Sequence, residues 1–454
     1  MSHAGTLPLP PGPGRLESLL GVRHQGNAAE YFLALNRRYG PVFRWRGYMD
    51  IYNLGDPDDV REVLTRAWPT YSKRNIDYRV LKQVLGNGLV TSDGDLWARQ
   101  RRLMQPMFHH RVVNRFDAAI NAATDATAAR WAALPAGEAL ALDRELSALT
   151  FRIVGETLFG ASVEQHAAEL AQLLHATNRN PKTLQGVLTL VPWLPVPSNR
   201  HFRRQRVLLD EIVYGLIAER RRTGEAREDL LGHLLAATDE HGQPAMADAQ
   251  IRDEAVTLLL AGHETSATAL GWTFHLLSQH PDVEARLVAE LSSVLGGRPA
   301  VAADLAQLPY LKQVVQESMR IYPPVWGISR RAEEDSEFGG YRIPAGAYIT
   351  MLAYTLHRHP DWWPEPERFD PERFSPANSH GRHPFAYLPF AGGPRTCIGA
   401  GMAMLEVQLV LALLLQRFEV RMVPGHPVVP LASVTYRPRY GLRATVKGRH
   451  ALVS

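Results

Sequence analysis

Cys397 is the only cysteine in a chain of 454 residues, and it stands inside Phe390-Ala391-Gly392-Gly393-Pro394-Arg395-Thr396-Cys397-Ile398-Gly399. Glycines on both sides allow close backbone approach to a ligand, and an arginine two residues before a thiol favours its ionised form. Met402, Leu405, Leu409 and Leu413 recur at helical spacing between Gly399 and Phe418, which predicts a helix whose positive end lies near the sulfur. Both influences stabilise a thiolate, the form in which cysteine binds iron. The competing reading is a small, buried and inert cysteine. A zinc site of several cysteines and an intramolecular disulfide are both excluded by the count of one.

Other residues have types and spacings that could do chemistry. From Asp248 to His280 about 33 residues run without proline and are apolar round most of the circumference; a helix of that length spans about 50 Å and belongs in a large core. In its middle stands the polar cluster Ala261-Gly262-His263-Glu264-Thr265. Burying a carboxylate unpaired is costly, which points to a function for Glu264. A hydrogen-bonded core cluster, or a helix bend from a threonine bonding back to a carbonyl, is the alternative. Trp97 and Arg101 lie four residues apart on one helical face, where they either reach one ligand or pack stem against ring. Glu317 and Arg320 also share a face, a spacing that by itself describes a solvated surface pair.

In this order and register the motifs resemble the cytochrome P-450 family, from about Gly40 to Arg443. Phe390, Gly393, Arg395, Cys397 and Gly399 match its haem-binding loop position for position, and the resemblance implies that Cys397 is the axial ligand of haem iron. Ala261 to Thr265 is similar to the family's oxygen-binding groove, Ala-Gly-x-Asp/Glu-Thr. That likeness implies Glu264 and Thr265 as the acid and alcohol that admit and hold protons. Glu264 stands where many members have Asp, and Ser266 where a second Thr is frequent. Trp97 and Arg101 match a Trp-x-x-x-Arg motif that binds a haem propionate, a role suited to an arginine fork. Arg330, with Arg331 beside it, matches a position that contacts the second propionate. Glu317 and Arg320 match the Glu-x-x-Arg helix, and Arg373 the later arginine that completes a buried ion triad; the implied role is structural, fixing the segment that carries Cys397.

These groups need elements to hold them. After a Pro/Gly-rich lead over residues 1–20, Tyr31 to Tyr39 predicts a helix stopped by Gly40-Pro41. Strands over Val42 to Trp45 and Ile51 to Leu54 follow, then a helix capped by Asp56-Pro57. Gly86 to Gly94 reads as a loop and Asp95 as the opening of the helix bearing Trp97. From Val112 to Glu240 the chain reads as helical, broken at Asn178 to Asn199. Within that break the apolar, proline-punctuated stretch Gly186 to Pro197 either lines a lipophilic entrance or packs on its neighbours. Arg220 to Arg222 reads as a solvated helix end, and Phe338 to Met351 as a β-hairpin pattern. The expected fold is mainly α with a smaller β-rich region near residues 40–56, 325–355 and 417–446. The resemblance makes it the cytochrome P-450 fold, with a long central helix over a buried haem, and one catalytic domain over residues 1–454.

Composition narrows the function. Forty-five per cent apolar and 21% charged residues describe a globular protein, and a net charge of +4 without an aromatic-interleaved basic tract gives little support for nucleic-acid binding. Met1 to Arg15 contains no apolar run, so neither signal peptide nor membrane anchor is expected, and Val407 to Leu415 is too short to span a bilayer. A single cysteine suits the cytoplasm. The resemblance implies a monooxygenase carrying haem b, which inserts one atom of O2 into a lipophilic substrate such as a fatty acid, terpenoid or polyketide. No reductase segment follows, so a ferredoxin or flavodoxin with its reductase is the expected electron donor, and Arg99, Arg102, Arg111 and Arg115 offer it a basic surface. The alternatives are a peroxide-driven peroxygenase or an isomerase on the same scaffold, against which the Glu264-Thr265 pair argues, and a non-catalytic haem-thiolate sensor or carrier.

Overall fold

The computed structural model describes residues 7–25, 27–160, 197–224, 229–238, 241 and 243–449. The apolar stretch from Gly186 to Val196, expected as an entrance or a packed loop, lies outside them. The chain folds into two compact units, the first made of Met1–Arg79, Gln316–Cys397 and Val429–Arg439, the second of Val80–Val315, Ile398–Val428 and Tyr440–Ser454.

The first unit is built on a five-stranded sheet in the order Val42–Arg46, Asp50–Leu54, Tyr348–Met351, Ile328–Ala332, Tyr71–Ser72. Only the pairing of Asp50–Leu54 with Tyr348–Met351 is parallel. Side chains alternate across a strand, so the sheet separates two apolar clusters. Phe43, Trp45, Ile51 and Tyr348 pack with Phe32 on one face, while Val42, Leu54, Ile349 and Met351 pack with Val63 and Leu64 on the other. Phe32 comes from helix Ala28–Tyr39, which starts at an Asn27 cap and stops at Gly40 with φ +93°. Asp56 accepts from the amides of Asp58 and Asp59 and caps helix Pro57–Arg61 as expected.

The expected hairpin over Phe338 to Met351 is shorter than the pattern indicated. Ser336–Phe338 pairs with Tyr341–Ile343 round Gly339 and Gly340, both at positive φ, the geometry that a tight type I′ connection demands. Tyr348–Met351 instead joins the large sheet. Gly346, at φ +81°, donates its amide to Ala332 O at 2.8 Å and turns the chain onto strand Ile328–Ala332.

The second unit is helical, with a small sheet of Ala139–Ala141, Arg443–Gly448 and Phe418–Met422. Its axis is helix Asp248–Gln279, 32 residues long and buried at every position from Ser266 to Leu277; a helix apolar on all sides has to be enclosed. Helices Leu142–Phe159, Pro197–Thr223 and Ala400–Arg417 pack against it. Ala400–Arg417 is long and apolar enough to cross a membrane by composition, yet 67% of it is buried within the protein, as a core helix requires. One expectation is corrected: Arg221 and Arg222 end helix Pro197–Thr223 in solvent, but Arg220 is buried. Its guanidinium forks onto Asp229 at 2.9 and 2.7 Å and donates to Phe159 O at 2.9 Å. Asp229 in turn caps helix Leu230–Ala236, so the pair ties three chain segments together.

Candidate active site

In the first unit Phe390, Gly393, Arg395 and Cys397 occupy one pinned loop. The Cys397 amide donates to Phe390 O at 2.9 Å, Thr396 Oγ1 donates to the same carbonyl at 3.2 Å, and the Thr396 amide reaches Gly393 O at 3.0 Å. Gly393 has φ +68°, and a Cβ there would lie 1.9 Å from Leu64 O. The glycine is therefore required twice over, by conformation and by space. Ala391 adopts φ +56° without being a glycine, a strain that persists only where the surroundings impose it. Arg395 lies over the Trp68 ring at 5.8 Å. Cys397 itself is exposed, and helix Ala400–Arg417 begins three residues later in the chain, with Gly399 at its N-cap.

The Glu317, Arg320 and Arg373 triad forms within the same unit. Glu317 and Arg320 are both fully buried: Arg320 Nε donates to Oε2 at 2.7 Å and its NH2 to Oε1 at 2.8 Å. Arg373 Nε stands 3.4 Å from Oε1, and the Asp370 amide donates to it at 3.0 Å. Burial pushes the Glu317 carboxyl up, while these donors act against it. Arg320 also donates to the carbonyls of His357, Pro366 and Arg368. Sequence reasoning missed His357. Its Nε2 accepts from the Leu388 amide at 2.8 Å, so its Nδ1–H donates to Arg320 O at 3.2 Å. Burial, with Arg320 adding to it, pushes the imidazole down to about 3. A neutral ring thus links the triad to Leu388, two residues before the cysteine loop.

Of the two adjacent arginines only Arg330 turns inward, at 5% exposure; Arg331 is exposed. Arg330 NH1 donates to Tyr78 OH at 3.0 Å and to Ser329 O at 2.7 Å. The Tyr78 ring also faces Lys73 Nζ at 5.2 Å, and neither neighbour carries a motif.

In the second unit the central helix runs unbroken, but its burial lapses at mid-length: Ala261 is exposed, and Gly262, Glu264 and Thr265 are half-buried among buried neighbours. Thr265 Oγ1 donates back to Ala261 O at 2.8 Å, which leaves its oxygen lone pairs to accept from a ligand. Gly262 lets helix Leu142–Phe159 come close, since a Cβ would lie 3.1 Å from Val154 Cγ2. His263 is buried and shares a 2.7 Å hydrogen bond with Ser147. Trp97 is buried and Arg101 half-buried on helix Gly94–Met104. That helix is capped by Asp93, two residues before the expected Asp95, because Asp93 Oδ1 accepts from the Gly94 amide. Arg99, Arg102, Arg111 and Arg115 are exposed, with Arg99 also hydrogen-bonded to Ala245 O.

Among the described residues no group of three or more His, Cys, Asp and Glu side chains gathers to hold a metal ion. A single exposed thiol suits a metal that brings its other ligands with it, as in a cofactor. An iron porphyrin supplies such ligands, and the inward Arg330 of the first unit is an N–H donor of the kind that its carboxylates accept.

A family model described as cytochrome P450 matches residues 8–437. Cyclooctat-9-en-7-ol 5-monooxygenase of Streptomyces melanosporofaciens is 35% identical over 397 residues, covering 87% of this chain and 85% of that one. Pentalenene oxygenase of Streptomyces avermitilis is 35% identical over 412 residues, covering 90% and 91%. Among solved structures, the cytochrome P450DA heme domain superposes with a TM-score of 0.87 at 26% identity and covers 98% of each chain. Retinoic acid-bound cyanobacterial CYP120A1 superposes with a TM-score of 0.85 at 28% identity, covering 98% of this chain and all of that one.

Proposed function

The chain belongs to the cytochrome P450 family and is a haem-thiolate monooxygenase, and from that premise we propose that it oxidises a terpenoid, with Cys397 as the iron ligand. The observation that carries the assignment of Cys397 is a lone, exposed thiol in a loop held by Gly393, Leu64 and the strained Ala391. The relatives named for oxidation of pentalenene and of cyclooctat-9-en-7-ol support the substrate class.

Bound haem supplies the chemistry by which one atom of O2 enters a carbon-hydrogen bond or alkene while the other leaves as water. This chain's residues prepare the surroundings. Trp97, Arg101 and Arg330 would hold the cofactor carboxylates by their N–H groups, and Phe390, Gly393, Arg395 and Gly399 shape the loop and its exit into the following helix. The small, exposed Ala261 would leave room for oxygen and substrate. Thr265, its own proton committed to Ala261 O, would have its oxygen lone pairs left to accept a hydrogen bond at the oxygen-binding side of the site, and Glu264, half-exposed on the same turn, would exchange protons with solvent. Glu317, Arg320 and Arg373 hold the segment leading to the cysteine loop. The cofactor is haem b, the protein works in the cytoplasm, and electrons come from an acidic ferredoxin or a flavodoxin that docks on Arg99, Arg102, Arg111 and Arg115.

Optical titration of the ferric protein tests the substrate class. Terpene hydrocarbons and alcohols shift the iron to high spin at lower concentration than fatty acids, steroids or macrolides; a stronger response to any of those three groups refutes it. Charge reversal at Arg102 and Arg111 slows first-electron transfer with a marked salt dependence, and unchanged rates remove the docking surface.

A further inference from the structure

The connection over residues 86–92, expected as a loop, is held on one turn of the central helix. Asp253 Oδ2 accepts from the Asn87 amide at 2.7 Å, and Glu254 Oε2 from the Leu89 amide at 2.9 Å. Gln250 Nε2 donates to Asn87 O at 3.2 Å and to Glu254 Oε1 at 3.1 Å. Arg252 NH1 donates to Val84 O and to Asp253 Oδ1, both at 2.9 Å. The approach is close enough to dictate sequence. Gly86 has φ +56°, and a Cβ on Gly88 would lie 2.6 Å from Asp253 O, so neither position tolerates a side chain. Gly88 O in turn accepts from the amides of Thr91 and Ser92, each at 2.9 Å, which makes the connection a knot with a fixed shape.

Glu254 is the costly member of this contact. It is fully buried, and burial pushes its carboxyl up to about 7, against the pull of the Leu89 and Gln250 bonds and with Asp253 adding to the rise. An apolar side chain would fill the place without that desolvation penalty, so the carboxyl is kept for what it holds. The knot leads to the helix of Trp97 and Arg101. Gln100, 1% exposed on helix Gly94–Met104, donates its Nε2 to Asn87 O at 2.6 Å and accepts from Ser92 Oγ through its Oε1. Asn87 O thus receives one glutamine from the central helix and one from the helix of Trp97. Gln100 and Trp97 are three residues apart and both buried, which puts them on one face, and Arg101 follows Gln100 directly.

We propose that Glu254 is a positioning residue: by holding the Leu89 amide it fixes the knot over residues 86–92 on which Gln100 rests, and through Gln100 it sets the rotation of the helix that presents Trp97 and Arg101. The proposal rests on the reading of that pair as donors to the haem carboxylates. Glu254 acts through these partners alone.

The test uses the haem-loaded protein and four variants: Glu254→Gln, Glu254→Leu, Gln100→Leu and Glu254→Leu with Gln100→Leu. Two quantities are read, amide hydrogen exchange over residues 87–104 and the rate at which haem passes to an excess of apomyoglobin. Glu254→Gln still accepts from the Leu89 amide and stays within about twofold of the parent in both. Glu254→Leu speeds exchange at Leu89 by at least about tenfold, the effect of losing a hydrogen bond to a charged acceptor, and haem release by about fivefold, the effect of one weakened bond to the cofactor. Gln100→Leu speeds haem release to a similar degree. The double variant releases haem no faster than the faster single one, because both substitutions break the same route. A carboxyl that only stabilises the fold gives effects that multiply instead. If Glu254→Leu does not accumulate as folded haem protein, Glu254→Met carries the same comparison. Multiplied effects in the double variant, or unchanged exchange over residues 94–104 in Glu254→Leu, overturn the proposal. Arg101→Ala separates the two readings: parent-like haem release there removes Arg101 as a holder of the carboxylates, while the exchange data still decide whether Glu254 holds the helix.

Discussion

Glu317→Gln is the substitution whose cost follows most directly from the structure. Glu317 and Arg320 are both fully buried, and the carboxylate receives two N–H bonds from Arg320 and one from the Asp370 amide. An amide in its place keeps the shape, removes the charge and turns an N–H2 towards a guanidinium. Arg320 retains three backbone carbonyls, but its charge has no compensating anion at hydrogen-bond distance. Breaking a buried pair in this way costs about 3–5 kcal/mol. The neighbouring pair of Arg358 and Glu367 provides the contrast, because Glu367 is 60% exposed and an exposed partner is worth about 0–1 kcal/mol. Urea unfolding of the haem-loaded protein, followed by far-ultraviolet circular dichroism and by the carbon monoxide spectrum of the reduced form, measures both. The account requires Glu317→Gln to lose several times more stability than Glu367→Gln, with the thiolate spectrum lost first. Glu317→Leu combined with Arg320→Met recovers much of that loss, since no charge is left unpaired. A Glu317→Gln protein as stable as Glu367→Gln would refute the reasoning.

Three further outcomes are expected. Gly393→Ala forces a side chain onto Leu64 O at a positive φ and costs at least about 3 kcal/mol; Gly401→Ala, with no atoms near its Cβ, gains up to about 1 kcal/mol, and thermal unfolding distinguishes them. Thr265→Ala diverts electrons from product to peroxide, which is read as the ratio of product to cofactor consumed. The Glu406 carboxyl, raised by burial to about 8, contributes fully below its unfolded value and loses that contribution as pH rises towards 8. The stability of Glu406→Gln relative to the parent therefore grows between pH 5 and pH 8, by an upper limit of about 4 kcal/mol, and a pH-independent difference contradicts the assignment.

Much of this was legible in the residues because the signals were local. The period of Asp248–Gln279, the Asp56 cap and the glycines flanking Cys397 each dictate nearby backbone, and each appears within a residue or two of its expected place. Arg220 was misread because a run of three arginines at a helix end looks solvated, and nothing local reveals that Asp229 folds back onto the first of them. Strand Tyr348–Met351 was assigned to the wrong partner for a similar reason: its alternation shows two buried faces but not which strand lies beside it. Glu317 and Arg320 had the spacing of an exposed pair, and only the resemblance placed them inside. His357, Tyr78 and Glu406 act through partners distant in sequence, and a single histidine, tyrosine or glutamate in an apolar stretch carries no motif by which to find it.

The central claim is that Cys397 binds the iron, and the carbon monoxide complex of the reduced, haem-loaded protein tests it most directly. With one cysteine in the chain, a thiolate signature can come from no other residue. The account predicts a Soret band strongly red-shifted from that of an imidazole-ligated haem, and its loss in Cys397→Ser. A parent protein with an imidazole-type band, or a Cys397→Ser variant with an unchanged spectrum, would contradict it.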